Sequence, residues 1–410
     1  MRQSQCGLAI RSITEEEFPE WELSSAYGFG EHSNEARKIQ IRGITELERT
    51  FGAFNDGKIV GTASTHSLEI TIPGRVLDLA YVDGVAVLPT HRRKGILTKL
   101  TKHQFNDMRD HGEAIAGLTA SESSIYERYG YGISSWSENW SIQREHSKIS
   151  DQPKVHGGTR FVEAPEVREI WPRIYNRIRP NRPGLFNYTT EWWNAFASDP
   201  EHWRGGSSEM FHVVYERGNG PEGLVSYSIR SDFPVTSKSA VIVIMLLGTT
   251  SQVERELWRY CFGIDLMASV VARNRPVDDQ LPWILSDTRK LDRSIHDHLW
   301  IRLVDASVAL SSRTYASHCD VVLNVIDPMC TWNHGRFEIE TSQTGARYKP
   351  TKKSPHLSLP ISDLAAVYLG GTTFAMLHRA GRIEQHQKGA IRALDKAFAT
   401  ERSPWTLAGF

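Results

Sequence analysis

The most informative segment of the chain reads Asp83-Gly84-Val85-Ala86-Val87-Leu88-Pro89-Thr90-His91-Arg92-Arg93-Lys94-Gly95-Ile96-Leu97. Its apolar first half predicts a strand, which ends at Pro89 because proline has no N–H with which to extend a ladder. Its last residues predict the start of an amphipathic helix. Backbone N–H groups at a helix start have no intrahelical partner and carry the positive end of the helix dipole. The order strand, loop, helix therefore predicts an α/β domain that can bind an anion at the loop.

The loop between this strand and this helix has the composition of a phosphate-binding site. Gly95 would let a diphosphate approach the backbone, and Arg92, Arg93 and Lys94 would supply positive charge. The alternative is a solvated basic turn, which is what most short basic loops with a glycine are. The preceding apolar strand favours the phosphate site.

The pattern V-x-V-x-P-x-x-R-R-x-G-I resembles the acetyl-CoA motif of the GNAT acetyltransferases, R/Q-x-x-G-x-G/A, at residues 92–97. Leu97 departs from this pattern, because the family usually has Gly or Ala there. In that family the backbone of Val85 and Val87 would hold the pantetheine arm like an added strand. The resemblance implies that acetyl-CoA is bound as co-substrate by Val85, Ala86, Val87, Arg92, Arg93, Lys94, Gly95, Ile96, Leu97, Thr98, Ser121 and Glu122.

A second segment, Ala120-Ser121-Glu122-Ser123-Ser124-Ile125-Tyr126-Glu127-Arg128-Tyr129-Gly130-Tyr131-Gly132, follows a predicted strand. It resembles the GNAT motif Y-x-x-x-G-[FY], which implies that Tyr126 protonates the departing CoA thiolate. An ordinary tyrosine pKa of about 10 makes it a weak acid for this role. Aromatic core packing is the alternative, and it suits Tyr129 and Tyr131 better than Tyr126.

Together the two segments are similar to the Eis (enhanced intracellular survival) family of bacterial acetyltransferases, and the likeness continues through residues 182–193, 281–305 and 368–371. The resemblance implies an α/β (α+β) chain with three domains. These are an acetyl-CoA-binding GNAT domain at 1–150, a degenerate GNAT-like domain at 151–300 and a sterol-carrier-protein-like domain at 301–410. The central range indeed lacks an R-x-x-G-x-G/A loop.

The same resemblance implies an activity and an assembly. Eis proteins form homo-hexamers and acetylate amines of aminoglycosides, lysine side chains or other polyamines. Their last residue reaches the N-terminal site, where its carboxylate acts as general base. The apolar end of this chain, closing on Phe410, suits burial, and a buried carboxylate needs a partner or a role. Simple anchoring of the C-terminal segment is the alternative.

Tyr27, Phe29 and Glu31 follow the first predicted helix, where GNAT domains usually bind the acceptor. Aromatic and acidic groups suit a cationic amine, although Glu31 could equally be a solvated loop residue. Two other functions stay open. One is acetylation of protein lysines or small polyamines, and the other is ligand or lipid binding by a protein whose GNAT domain is vestigial.

Composition excludes several classes of protein. The 48 basic residues equal the 48 acidic residues over 410 positions, which argues against a nucleic-acid partner. The longest apolar run, 241–247, is too short to span a membrane. The four cysteines contain no CxxC pair, so we expect a cytoplasmic protein without structural disulfides. No metal is expected, because His296 and His298 lack a third ligand in the sequence.

Periodicity and turn residues predict the elements. In the first domain we expect a helix at 15–27 with Thr14 as N-cap, and strands at 49–55 and 58–64 joined by an Asp56-Gly57 turn. Further elements are predicted as follows: strands at 10–13, 77–87, 114–119, 210–216, 223–230, 240–247, 320–326 and 336–340, and helices at 95–111, 166–177, 190–196, 253–262, 364–368 and 387–398.

Overall fold

A computed structural model of the protein describes residues 7–150, 156–218, 220–232 and 239–407. The chain forms two compact units. One contains the chain up to Ser135 and again from Asp297 onward, and the other contains Trp136–His296. In the described residues, no helix is both long and apolar enough to cross a bilayer.

The elements follow in chain order. Up to Ser135 they are β1 (Ala9–Ser12), α1 (Phe18–Phe29), α2 (Glu35–Ile44), β2 (Thr50–Asn55), β3 (Lys58–Ile72), β4 (Arg75–Val87), α3 (Ile96–Asp110), β5 (Ile115–Thr119), α4 (Ser123–Tyr126) and β6 (Gly132–Ile133). The middle of the chain forms β7 (Trp136–Gln143), β8 (Gly158–Val162), α5 (Ala164–Ile178), β9 (Phe186–Asn187), α6 (Thr190–Phe196), β10 (Phe211–Arg217), β11 (Gly220–Arg230), β12 (Ala240–Gly248), α7 (Ser251–Gly263), β13 (Ser269–Pro276), α8 (Leu281–Ile284) and β14 (Asp292–Asp297). The last part forms β15 (Leu299–Leu303), α9 (Ala306–Ser312), β16 (Cys319–Ile326), β17 (Gly335–Ser342), β18 (Gly345–Pro350), β19 (Leu357–Pro360), α10 (Ile361–Tyr368), α11 (Phe374–Arg379), β20 (Glu384–Gln385) and α12 (Ala390–Phe398).

The N-terminal sheet has the strand order β1-β2-β3-β4-β5-β15-β6, and α1 and α3 pack on β3 and β4. The predicted hairpin between β2 and β3 is confirmed, and both of its turn residues, Asp56 and Gly57, have positive φ. Such a turn twists in the same sense as its strands, which is why Asp-Gly marks it. β4 and β5 are parallel, so this sheet is mixed.

Three features of this part differ from the prediction. Helix α1 begins at Phe18 rather than at residue 15, and Thr14 is not its N-cap. Pro19 lies in the first turn of α1, where its missing N–H costs nothing, and an earlier start would have placed it in the helix interior. Strands β3 and β4 form a longer hairpin that turns at Pro73 and Gly74, and helix α2 was not predicted.

The second unit has the sheet order β14-β7-β13-β12-β11-β10-β8. Its core is one apolar cluster around Trp140, Val225, Leu257 and Trp258. The predicted helix at 166–177 is α5, which runs through Pro172. Strand β7 lies in this sheet and β15 in the N-terminal one, and the chain passes from one unit to the other at 135/136 and at 296/297.

The C-terminal part builds its own sheet in the order β18-β17-β16-β19-β20. Helix α10 is buried along its whole length and contacts β15 and β6 of the N-terminal sheet as well as β19. The strands predicted at 320–326 and 336–340 and the helices predicted at 364–368 and 387–398 are present as β16, β17, α10 and α12. The C-terminal part and the N-terminal sheet therefore share one packed unit.

Candidate active site

The N-terminal sheet opens between β4 and β5. The two strands pair in parallel at Leu79–Ile115, Ala80–Ala116 and Tyr81–Gly117, after which β4 runs on to Val87 and β5 to Thr119. Residues from the end of β4 and from the segment that follows β5 line one cavity of about 690 Å³. Ligands of open α/β sheets bind outside the carboxyl ends of parallel strands, so this cavity is the candidate site.

A β-bulge bends β4 at the cavity. Gly84 and Val85 of β4 stand opposite the single residue Ala63 of β3, because the register shifts between the Thr62–Ala86 and Ser64–Asp83 pairs. Gly84 has a φ of 59°, and a Cβ there would lie 2.8 Å from the Trp21 ring. Glycine is therefore required both by the backbone conformation and by the close ring. The bulge turns the end of β4 away from the regular sheet, where it lines the cavity.

The loop and the start of α3 form one wall of the cavity. Gly95 is the N-cap of α3, has a φ of 78° and carries no capping side chain, and the first turn of α3 contains no acidic residue. A Cβ added at Gly95 would meet no atom within 4 Å, so the space in front of this helix start is open. Arg92 is anchored beside it by bonds to the carbonyls of Gly28 (2.9 Å) and Val87 (3.3 Å). This wall can receive a polyanion.

The structure brings most predicted cofactor-binding residues together at this cavity. Its lining includes Val85, Ala86, Val87, Arg92, Arg93, Gly95, Ile96, Leu97, Thr98, Ser121, Glu122 and Tyr126. Lys94 does not line the cavity, and its ammonium lies 3.4 Å from the carbonyl of Thr90. Leu97, which departs from the family motif, lines the cavity and packs against the apolar cluster that contains Tyr126.

Tyr126 ends the short helix α4 at the far wall of the cavity. It is 9% exposed, and its ring meets that of Tyr131 edge-on at 5.9 Å. Burial, together with the nearby carboxylate of Asp83, raises the pKa of the Tyr126 hydroxyl to about 12. The hydroxyl therefore carries its proton at neutral pH and can donate that proton or a hydrogen bond.

Of the three residues predicted to bind the acceptor, one lies at the cavity. Phe29 lines the cavity, whereas Tyr27 and Glu31 do not. Tyr27 is 47% exposed and contacts the His32 ring. The Glu31 carboxylate pairs with Arg37, which also binds the buried Glu22 at 2.9 Å. Glu31 therefore already has an internal cation as partner.

The second unit also has two parallel strands with a bulge, but there the Arg275 side chain takes the place that is open between β4 and β5 in the first unit. β12 and β13 pair in parallel, and Ile244 is the extra residue of a bulge in β12. The buried guanidinium of Arg275 binds the Leu246 carbonyl at 3.0 Å and the Asp279 carboxylate at 2.5 Å. The start of α7 is capped by the Thr250 side chain. This unit therefore lacks the open helix start of α3.

Phe410, the predicted general base, lies outside the described residues. The described part of the tail ends at Leu407, and both Trp405 and Thr406 are buried. Burial of these residues shows that the C-terminal segment packs on the protein up to that point.

Comparison with known proteins identifies the parts of this fold. The acetyltransferase (GNAT) domain matches residues 9–134, a second acetyltransferase (GNAT) domain matches 184–303, and the sterol carrier protein domain matches 306–407. N-acetyltransferase Eis of Mycobacterium tuberculosis is 30% identical over 406 residues, covering 96% of this chain and 97% of that protein. This chain belongs to the Eis family of N-acetyltransferases. The predicted order of GNAT, GNAT-like and sterol-carrier-like domains is thereby confirmed, as is its assignment as an enzyme.

Two further proteins are similar to this chain over almost its whole length. An uncharacterized N-acetyltransferase of Streptomyces avermitilis is 34% identical, covering 98% of this chain and 99% of its own. The crystal structure of Eis1 from Mycobacterium abscessus superposes with a TM-score of 0.86 at 31% identity, covering 98% of this chain and all of that one.

Sequence reasoning missed several residues that line the cavity of this Eis-family chain: Gly28, His91, Ser124, Ile125, Arg128 and Tyr129. Gly28 carried a usable signal, since a glycine near the end of a helix often marks a close approach. A Cβ on Gly28 would lie 2.5 Å from the Cβ of Ala86, so glycine lets α1 press against the end of β4. The others lie beside motif residues, and only the folded loops bring them to the cavity.

Proposed function

We propose that this protein transfers an acetyl group from acetyl-CoA directly to an amine of an aminoglycoside-like polycation. The observation that carries the proposal is the single cavity that joins the open start of α3 to the buried hydroxyl of Tyr126. Transfer from acetyl-CoA needs a place for the CoA diphosphate and a proton donor near the thioester sulfur. Because the amine attacks the thioester directly, no covalent enzyme intermediate forms.

The residues of the cavity fit acetyl-CoA. The uncapped N–H groups at the start of α3, with Arg92 and Arg93 beside them, suit the diphosphate. The open space at Gly95 leaves room for phosphate oxygens close to the backbone. The bulged end of β4 at Val85 and Val87 would bind the pantetheine arm as an added strand does. Acetyl-CoA supplies the acyl group as a thioester.

The chain's own groups would handle two protons. The acceptor amine is an ammonium at neutral pH and must lose a proton before its lone pair attacks the carbonyl carbon. As the C–N bond forms and the C–S bond breaks, the sulfur gains negative charge and takes a proton, for which Tyr126 is the donor. We propose the Phe410 carboxylate as the base on the family resemblance, with the buried tail at Trp405 and Thr406 as support.

The proposed acceptor is a cation, which fits an aromatic side chain in the cavity lining. Phe29 offers an aromatic face at the cavity, and aromatic faces attract cations. A lysine side chain or a small polyamine is the alternative acceptor. Assembly as a homo-hexamer is likewise proposed from the family resemblance.

The test is release of CoA thiol from acetyl-CoA with a panel of amines, using protein whose C-terminus is native and untagged. The panel contains an aminoglycoside, a polyamine and a lysine peptide, and a variant extended beyond Phe410 is measured alongside. We expect release with the aminoglycoside and loss of release on extension. Release only with the peptide would move the acceptor to protein lysines. Failure to bind acetyl-CoA in calorimetry would support the vestigial alternative and refute the proposal.

A further inference from the structure

Tyr126 lies on a segment that its own secondary structure holds weakly. Helix α4 is only four residues long, and a 3-10 turn at residues 127–129 follows it. The local backbone bonds are few, among them Gly130 N to Glu127 O at 2.8 Å and Tyr131 N to Tyr126 O at 3.3 Å. A single helical turn is unstable in water unless tertiary contacts hold it. The position of the Tyr126 hydroxyl therefore depends on what the segment packs against.

The C-terminal part of the chain supplies that packing at two glycines that follow Tyr126, Gly130 and Gly132. A Cβ on Gly132 would lie 1.9 Å from the carbonyl oxygen of Ser362 and 2.6 Å from the amide nitrogen of Ala366, both in α10. A Cβ on Gly130 would lie 2.3 Å from Nη1 of Arg302. Only glycine allows such close contact. These two glycines thus let the segment pack against the α10 backbone and the Arg302 guanidinium.

Arg302 is itself fixed from the C-terminal part. It lies in β15 and is fully buried, and its Nη2 binds both carboxylate oxygens of Asp327 at 2.7 and 2.8 Å. Asp327 also accepts bonds from the backbone N–H groups of Met329 and Cys330. A carboxylate held by several donors cannot move without breaking them all.

An ion pair joins the residue next to Tyr126 to the same region. The Glu127 carboxylate binds Nη2 of Arg382 at 2.6 Å across 255 residues of sequence. The Arg382 guanidinium also binds the buried Asp363 carboxylate of α10, with Nε at 2.8 Å and Nη2 at 2.5 Å. The Glu127 pair is partly exposed, so its direct energy is small. The pair instead orients the Glu127 side chain, because Asp363 fixes the guanidinium to which Glu127 binds.

We infer that contact with α10 and Arg382 of the sterol-carrier-like domain fixes the position of the Tyr126 hydroxyl, with Glu127 and Arg382 as positioning residues. The inference rests on the proposed function, in which Tyr126 protonates the leaving thiolate. Loosening this contact moves the Tyr126 hydroxyl away from the sulfur while leaving the phosphate-binding start of α3 intact. The effect therefore falls on kcat and not on the KM for acetyl-CoA.

The primary variant is Glu127→Ala, because it leaves the Arg382–Asp363 pair in place, whereas Arg382→Ala deprives a buried carboxylate of its cation. Misplacing a catalytic group by about 1 Å costs on the order of 10-fold to 100-fold in rate. We expect a loss of kcat of about 10-fold in each variant, an unchanged KM for acetyl-CoA and no further loss in the double variant. Arg382→Lys should restore part of the rate. The matched control is Glu384→Ala, an exposed glutamate of the same unit.

A second readout needs no activity. Amide hydrogen exchange of a peptide covering residues 123–131, followed by mass spectrometry in the full-length protein, should be faster in Glu127→Ala than in the wild type and unchanged in Glu384→Ala. Unchanged exchange, unchanged kcat or additive losses in the double variant would each overturn the inference. If the wild-type protein transferred acetyl to no amine, the proposed function would fall while the exchange result still decided whether the C-terminal domain holds the segment.

Discussion

Replacing Tyr126 by Phe removes one hydroxyl and keeps the ring that packs edge-on against Tyr131. The pKa of this hydroxyl is raised to about 12, whereas a thiol has a pKa of about 8.5. Complete proton transfer to a free thiolate would therefore be uphill by about 5 kcal/mol. In the transition state Tyr126 therefore acts through a hydrogen bond that strengthens as charge develops on the sulfur, and its proton passes to the thiolate only as solvent returns a proton to the phenolate oxygen.

A hydrogen bond to a charged group contributes about 1.5–3 kcal/mol, which corresponds to about 10-fold to about 150-fold in rate. Because this bond reaches full strength only in the transition state, Tyr126→Phe should lower kcat by that factor and leave the KM for acetyl-CoA unchanged. The high pKa adds a second expectation. Ionisation of Tyr126 should produce no loss of kcat with rising pH up to about pH 10.

The assay is continuous detection of released thiol with saturating amine. Tyr131→Phe is the matched control, because it removes a neighbouring hydroxyl that does not line the cavity. A kcat for Tyr126→Phe equal to that of the wild type, or an equal loss in Tyr131→Phe, would refute the role assigned to Tyr126.

Three further outcomes are expected. Arg93→Gln should raise the Kd for acetyl-CoA by about 10-fold in calorimetry, and Lys94→Gln should raise it much less, because Arg93 lines the cavity and Lys94 does not. Equal effects of the two substitutions would contradict the proposed diphosphate site. Calorimetry should also give one acetyl-CoA per chain, since the Arg275 guanidinium fills the corresponding place in the second unit, and two equivalents would contradict that explanation. Burial lowers the pKa of His66 and His212 in the folded protein, so the unfolded chain binds more protons below about pH 6.5 and the free energy of unfolding should fall as the pH drops through that value; urea midpoints that do not change between about pH 7.5 and about pH 5.5 would exclude this.

Elements with local causes were predicted well. The Asp56-Gly57 turn needs positive φ at two consecutive residues, and this requirement is written in those two residues. Helix α3 begins directly after Gly95, and the strand before it ends at Val87, two residues before Pro89, so the start of the helix could be located closely. The loop and helix start at residues 92–97 were also predicted, because consecutive residues form them.

Elements with distant causes were missed or misassigned. Strand β15 joins the N-terminal sheet because it pairs with β5 and β6, which lie more than a hundred residues earlier in the chain. The five residues of β15 predict a buried strand, but they do not indicate which sheet the strand joins. The start of α1 was misplaced for a different reason, since Pro19 was a local signal that outweighed Thr14.

The sequence by itself determined the family, the order of the domains and the composition of the proposed phosphate-binding loop, because motifs of consecutive residues carry each of them. Tertiary structure alone decided the environment of Tyr126. The pKa of the Tyr126 hydroxyl depends on its burial and on the nearby Asp83. The segment that carries Tyr126 is held by Arg302, Asp363 and Arg382, which lie far along the chain. Burial and close approach are properties of the packed chain, so no pattern of neighbouring residues records them.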